Sequence, residues 1–127
     1  MNKLSYLNEA KELLNELIEW RRYLHQNPEV GFDLPNTSTF VKDKLTEFGY
    51  EVEHLLEHGL IAEVGQGDKT ILLRADMDGL PIQEESGLDF ASNNDYSHTC
   101  GHDIHTTIML GVAKLMKEHE DKLEGVV

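Results

Sequence analysis

Thr70-Ile71-Leu72-Leu73-Arg74-Ala75-Asp76-Met77-Asp78-Gly79 is the stretch on which the fold turns. Thr70 to Ala75 is nearly continuous in apolar character, which predicts a strand covered on both faces. That strand runs directly into two carboxylates. In open α/β sheets the carboxyl end of a strand is where ligands and catalytic groups collect, because the loops there project from a rigid base into a crevice. The stretch therefore predicts an α/β fold with Asp76 and Asp78 on its working edge.

Upstream, Leu7, Leu14, Leu17, Ile18, Tyr23 and Leu24 recur at three- and four-residue steps among polar residues, predicting one amphipathic helix from Leu4 to His25. Pro28 ends it, since proline disfavours helical geometry in the residue before it. A second helix is expected after Pro35, with Asn36 or Thr37 as N-cap, an apolar face of Phe40, Val41, Leu45 and Phe48, and a left-handed stop at Gly49. Tyr50 to His54 and Leu60 to Val64 read as short strands, the latter pairing with Thr70 to Ala75 across the Gly65-Gln66-Gly67-Asp68 turn.

Downstream, Gly79 to Thr99 is an irregular loop with a short strand near Leu88 to Ala91. A third helix is predicted from Ile104 to about Lys122, capped by Asp103, with Ile104, Ile108, Val112, Leu115 and Met116 at helical spacing. Leu123-Glu124-Gly125 then makes a turn, and Val126-Val127 opens another strand, so the sequence is expected to be truncated there. This order predicts helices packed on a sheet.

The 127 residues suffice for one modest domain. Eleven basic against 24 acidic residues leave a net charge of -13, which disfavours nucleic acid and anionic membrane surfaces as partners. No apolar run reaches the roughly 18 residues of a membrane span, and the start of the chain lacks a secretory pattern, so a soluble cytoplasmic protein is expected. The single cysteine, Cys100, excludes an internal disulfide framework and leaves it as a buried hydrophobe, a nucleophile or a metal ligand.

His98, Cys100, His102 and His105 crowd into eight positions. Cys100 and His102 flank a glycine, so in an extended segment their side chains leave the same face and can converge on one ion. Asp76 or Asp78 can add an oxygen ligand or hold an imidazole by its second nitrogen. A thiolate with imidazoles points first to zinc, and added carboxylates admit manganese, cobalt or nickel. Each residue also has an ordinary reading: Asp76 and Asp78 as turn caps or partners of Arg74, His105 as a packing residue, and His98 likewise. Histidines 25, 54, 58 and 119 lie outside the cluster and read as surface or packing residues. The sharpest rival is a nucleophilic Cys100 at a helix start, using a histidine as base. A non-enzymatic metal-binding module is a third reading.

Three segments carry a resemblance: Arg21-Arg22-Tyr23-Leu24-His25-Gln26-Asn27-Pro28-Glu29, Leu73-Arg74-Ala75-Asp76-Met77-Asp78-Gly79-Leu80-Pro81-Ile82, and His98-Thr99-Cys100-Gly101-His102-Asp103-Ile104-His105-Thr106. Together they resemble the M20 peptidases, in the branch of hippurate hydrolases, N-acyl-L-amino acid amidohydrolases and indole-acetyl-amino acid hydrolases. The resemblance implies a three-layer α/β catalytic domain of zinc-peptidase type, of which residues 1–127 are the N-terminal portion, with the lid or dimerisation domain and the C-terminal half lying elsewhere. It implies two divalent ions held in part by Cys100 and His102, with Asp78 as the catalytic-site aspartate that orients a ligand. Asp76 stands where other branches carry a histidine ligand. The glutamate base and further ligands are expected after Val127, which leaves this stretch inactive alone. The substrate implied is a small N-acyl amino acid, and the full-length protein is allowed a homo-oligomeric state.

Overall fold

The amphipathic run at the start of the chain folds as two helices, not one. In this computed structural model, which describes residues 3–127, α1 spans Lys3–Glu12 and α2 spans Leu14–Gln26. Leu13 between them stays near helical geometry (φ -79°, ψ -4°), and its N–H is shared between the Glu9 and Ala10 carbonyls at 3.3 and 3.2 Å. The break is thus a tightened turn that lets the buried Leu13 point inward. Helix α2 ends at Gln26, two residues before Pro28, as expected.

Helix α3 covers Pro35–Glu47 with proline in its first turn, where the missing N–H costs nothing. Asn36 and Thr37 lie inside it, so neither is the N-cap. The cap comes from farther away: the Glu29 carboxylate accepts from the backbone N–H of Asn36 (3.2 Å) and of Thr37 (2.5 Å). Gly49 takes the predicted left-handed conformation at φ 98°.

Strands β1 (Val52–Leu55) and β2 (Gly59–Ala62) form an antiparallel pair in the register Val52 to Ala62. The expected pairing of Leu60–Val64 with Thr70–Ala75 is therefore corrected: β2 pairs with β1. Thr70 instead meets Val126 through a parallel bridge, while Val64 and Val127 exchange two backbone hydrogen bonds of 3.0 and 2.9 Å. Val126-Val127 does begin an extended pairing.

Residues 70–75 do not form a covered strand. Ile71 and Leu72 are 61% and 88% exposed, because among the described residues only Val126 bridges to this segment. No strand forms at Leu88–Ala91, where the Ala91 N–H closes a turn on the Leu88 carbonyl.

Helix α4 runs His102–Glu118, followed by a 3-10 turn at Glu120–Lys122. Its N-cap is Gly101, held at φ 89°, and not Asp103, which is the second helical residue. The buried face is Asp103, Thr106, Thr107, Leu110 and Gly111, whereas Ile104 and Ile108 are exposed. Leu110 packs with Trp20 of α2 and Val41 of α3, and Leu17, Phe40, Leu45, Phe48, Leu60 and Met77 close around them. Burying Leu110 alone contributes about 1.5–3 kcal/mol. The helices and small sheet make an α/β unit whose core clamps α4, and α4 starts beside Asp76 and Asp78. Among the described residues, no helix is long and apolar enough to cross a membrane.

Candidate metal centre

The segment carrying Asp76 and Asp78 is fixed at both ends of the turn that follows it. The Gly79 N–H donates to the Glu29 carbonyl at 2.7 Å, and Leu80 and Ser97 exchange backbone hydrogen bonds at 2.8 and 3.0 Å. Position 79 admits only glycine, since a Cβ there would lie 2.9 Å from the Ser97 carbonyl oxygen. From the other side, the Thr106 hydroxyl of α4 donates to the Asp76 carbonyl at 2.9 Å. The acidic segment and the first turn of α4 are thereby tied together.

His102, the first residue of α4, faces both carboxylates. Its Nδ1 lies 2.9 Å from the Asp78 carbonyl and 3.0 Å from Asp78 Oδ1, so Nδ1–H donates to Asp78, which fixes the ring. That leaves Nε2 free to act as an electron-pair donor. Nε2 lies 3.5 Å from Asp76 Oδ2, while Asp76 Oδ1 pairs with Arg74 at 2.5 Å. One turn along α4, the His105 ring stands 5.3 Å from that of His102.

Asp76, His102 and His105 each offer one ligand atom, all within 4.8 Å of one another. Two ligands about 2.1 Å from a single ion at a tetrahedral angle are about 3.4 Å apart. The 3.5 Å between Asp76 and His102 meets this spacing, and two imidazoles with a carboxylate suit a divalent transition ion. These three residues can hold one.

Cys100 is exposed and outside that trio; its Sγ lies 3.8 Å from the Asp78 carbonyl, the same oxygen that His102 approaches. The two side chains therefore lie on one side of the Gly101 turn. No hydrogen bond joins Cys100 to a histidine among the described residues, so the geometry does not favour a Cys-His nucleophile pair.

His98 is 4% exposed, and among the described residues neither ring nitrogen has a hydrogen-bond partner. Burial, aided by His25 and His102 against the pull of the Asp103 charge, holds its pKa below the usual imidazole value. His25, expected only to pack or face solvent, is buried between two carboxylates. Its Nδ1 lies 2.7 Å from Asp103 Oδ2, and Nε2 lies 2.7 Å from Glu84 Oε1 but out of hydrogen-bond alignment. Local spacing could not reveal this contact, because His25 and Asp103 are 78 positions apart.

Residues 72–127 match Peptidase family M20/M25/M40. The chain is 44% identical over 115 residues to the N-acetyldiaminopimelate deacetylase of Oenococcus oeni, an alignment covering 84% of this chain and 30% of that protein. It is 39% identical to the N-acyl-L-amino acid amidohydrolase of Geobacillus stearothermophilus, over 91% of this chain and 32% of the relative. Its fold superposes on the crystal structure of a Bacillus subtilis dinuclear metal-binding peptidase from the M20 family with a TM-score of 0.87 and 38% identity, covering 92% of this chain and 34% of the other. The chain thus spans about a third of the length of these relatives.

Proposed function

We propose that this chain belongs to peptidase family M20/M25/M40, whose pattern matches residues 72–127, and supplies one wall of the metal centre of an amidohydrolase that cleaves N-acyl amino acids. The observation that carries the reading is the meeting of Asp76, His102 and His105 at the junction of the acidic segment with α4. In this reading residues 1–127 are the N-terminal portion of the catalytic domain, and the glutamate base, the remaining ligands and a lid come from outside them. Two kinds of relative support the substrate class, one a deacetylase of an N-acetylated amino acid and the other an N-acyl-L-amino acid amidohydrolase.

The geometry supports the following roles. Asp78 orients His102 through Nδ1 and so presents Nε2 as a ligand. Asp76 offers Oδ2 while Arg74 neutralises its other oxygen. Cys100, on the same side of the Gly101 turn as His102, is assigned as a further ligand, reached by turning its exposed thiol from the Asp78 carbonyl. When bound, two divalent ions supply Lewis acidity toward the amide carbonyl and a water nucleophile at neutral pH. A thiolate with imidazoles favours zinc, and the carboxylates accommodate manganese.

The test is hydrolysis of a series of N-acetyl amino acids by the intact protein, before and after stripping with a chelator and reloading with zinc or manganese. Amine release that disappears on stripping and returns on reloading is expected. Activity that survives stripping and is abolished by alkylating Cys100 would replace this reading with cysteine chemistry.

A further inference from the structure

The segment Arg21-Arg22-Tyr23-Leu24-His25 of α2 carries two polar side chains, Arg21 and His25, that reach α4, and the roles above do not use them. Arg21 Nε donates to Asp103 Oδ2 at 2.8 Å, and His25 Nδ1 lies 2.7 Å from the same oxygen. Asp103 is 1% exposed. Burial by itself would raise the pKa of this carboxyl, but hydrogen bonds from His25 and Arg21 overcome that and hold it below the usual carboxylate range. The Asp103 side chain is thus held between α2 and the first turn of α4 by Arg21 and His25.

That placement sits next to the proposed ligands. Successive helical residues are about 100° apart, so positions 102, 105 and 106 share one face, while 103, 107 and 110 share the face turned to α2. His102 and His105 lie on the first face, Asp103 on the second. The turn holding all three has no side-chain N-cap, since Gly101 occupies that position with a left-handed backbone. Its rotation about the helix axis is consequently set by what grips Asp103 on one side and by the Thr106 hydrogen bond to the Asp76 carbonyl on the other.

The grip is itself braced. The Cζ atoms of Arg21 and Arg22 each lie 4.9 Å from the Phe90 ring centroid, and His25 meets that ring edge-on at 5.4 Å. Glu84 of the same loop stands against the far nitrogen of His25 and is hydrogen-bonded by Ser86. Loop 81–97 therefore locks the side chains that lock Asp103.

We infer that Arg21 and His25 are positioning residues for the metal centre, acting through Asp103 to fix the orientation in which α4 presents His102 and His105. The inference rests on the metal-binding reading of those residues. Removing either donor frees the first turn of α4 to rotate, which degrades ligand geometry while leaving the Leu110 core in place. Partners that orient metal ligands in this way typically account for roughly 10- to 100-fold in metal affinity.

The experiment titrates Co(II) into the metal-free intact protein, reading affinity and the visible ligand-field spectrum, with circular dichroism as a control on folding. Arg21→Gln is the main variant because the Arg21 side chain is partly exposed; His25→Asn is the second, and Arg21→Lys restores the charge. The expected result is Co(II) binding weakened roughly 10- to 100-fold with an altered spectrum in Arg21→Gln and His25→Asn, helix content unchanged, and partial recovery in Arg21→Lys. Wild-type affinity and spectrum in both variants would overturn the inference alone. Affinity that falls only in proportion to lost helix signal would also overturn it. Wild-type protein that takes up no Co(II) would remove the metal reading itself.

Discussion

Replacing Thr106 by valine cuts the tie between α4 and the acidic segment while preserving side-chain shape. Thr106 is 3% exposed, and its hydroxyl lies 2.9 Å from both the Asp76 carbonyl and the His102 carbonyl one turn back. One hydroxyl proton serves only one acceptor well, so the substitution removes one hydrogen bond's worth of stability, about 1 kcal/mol. Where no water can reach the Asp76 carbonyl left behind, the cost rises to about 3 kcal/mol. Threonine and valine have nearly equal helix propensity, so the helix itself contributes little. With a urea m-value of about 1–3 kcal/mol/M, the unfolding midpoint should fall by on the order of 1 M. Metal affinity should fall with it, because the Asp76 end of the site is no longer held against α4. An unchanged midpoint together with unchanged affinity would refute the claim that this hydroxyl joins the two halves of the site.

Two further outcomes follow from the core and from one buried phenol. Leu110→Ala, at the centre of the Trp20–Val41–Leu110 cluster, should lower stability by about 2–5 kcal/mol in denaturant unfolding, and a loss under 1 kcal/mol would place the core elsewhere. The Tyr50 hydroxyl donates to the Ala113 carbonyl at 2.6 Å, and burial, then the Glu120 charge, pushes its pKa up to about 12. Its folded pKa lies above the unfolded value near 10, so the stability linked to its neutral form is intact below about pH 10 and is lost as pH rises toward 12. The phenolate absorbance difference between wild type and Tyr50→Phe should titrate near 12; a midpoint near 10 would contradict the buried hydrogen bond.

The sequence revealed which residues gather and hid what they gather against. The helix ends at Asn27 and Gly49, the loop between Gly79 and Thr99, and the extended bridging at Val126 are all written in proline, glycine and local apolar patterning. Such signals report backbone geometry, which is decided within a few residues. Strand partners are not, and residues 70–75 lack the expected pairing with Leu60–Val64 because period-two patterning marks faces and says nothing of neighbours. Helix α4 shows the same limit: Ile104 and Ile108 suggest an apolar face, yet the buried face is Asp103, Thr107 and Leu110, because α2 offers Arg21 and His25 to a carboxylate there.

The candidate site was legible in the same uneven way. His102 and Asp78 meet as the Cys-Gly-His and Asp-x-Asp spacings suggest, and two of the three segments that carry the resemblance fall within residues 72–127, which match Peptidase family M20/M25/M40. His105 joins Asp76 and His102 because the i, i+3 spacing of a helix that starts at His102 puts both imidazoles on one face, a fact that depends on where the helix starts. Cys100 stands just outside this trio, and its spacing alone could not show that its thiol turns toward the Asp78 carbonyl. The Glu29 cap on α3 reaches back seven and eight positions, past the usual N-cap spacing, and the His25–Asp103 contact spans 78, so the helix-start pattern encodes neither.

The central claim is that the end of the acidic segment and the first turn of α4 jointly hold a divalent ion. Metal content per chain, measured on intact protein equilibrated with zinc and freed of loose ion, tests it directly when wild type is set beside His102→Ala, Asp76→Asn and Cys100→Ala. The account predicts stoichiometric zinc in wild type, near-complete loss in His102→Ala and marked weakening in the other two. Equal zinc in all four proteins would contradict it.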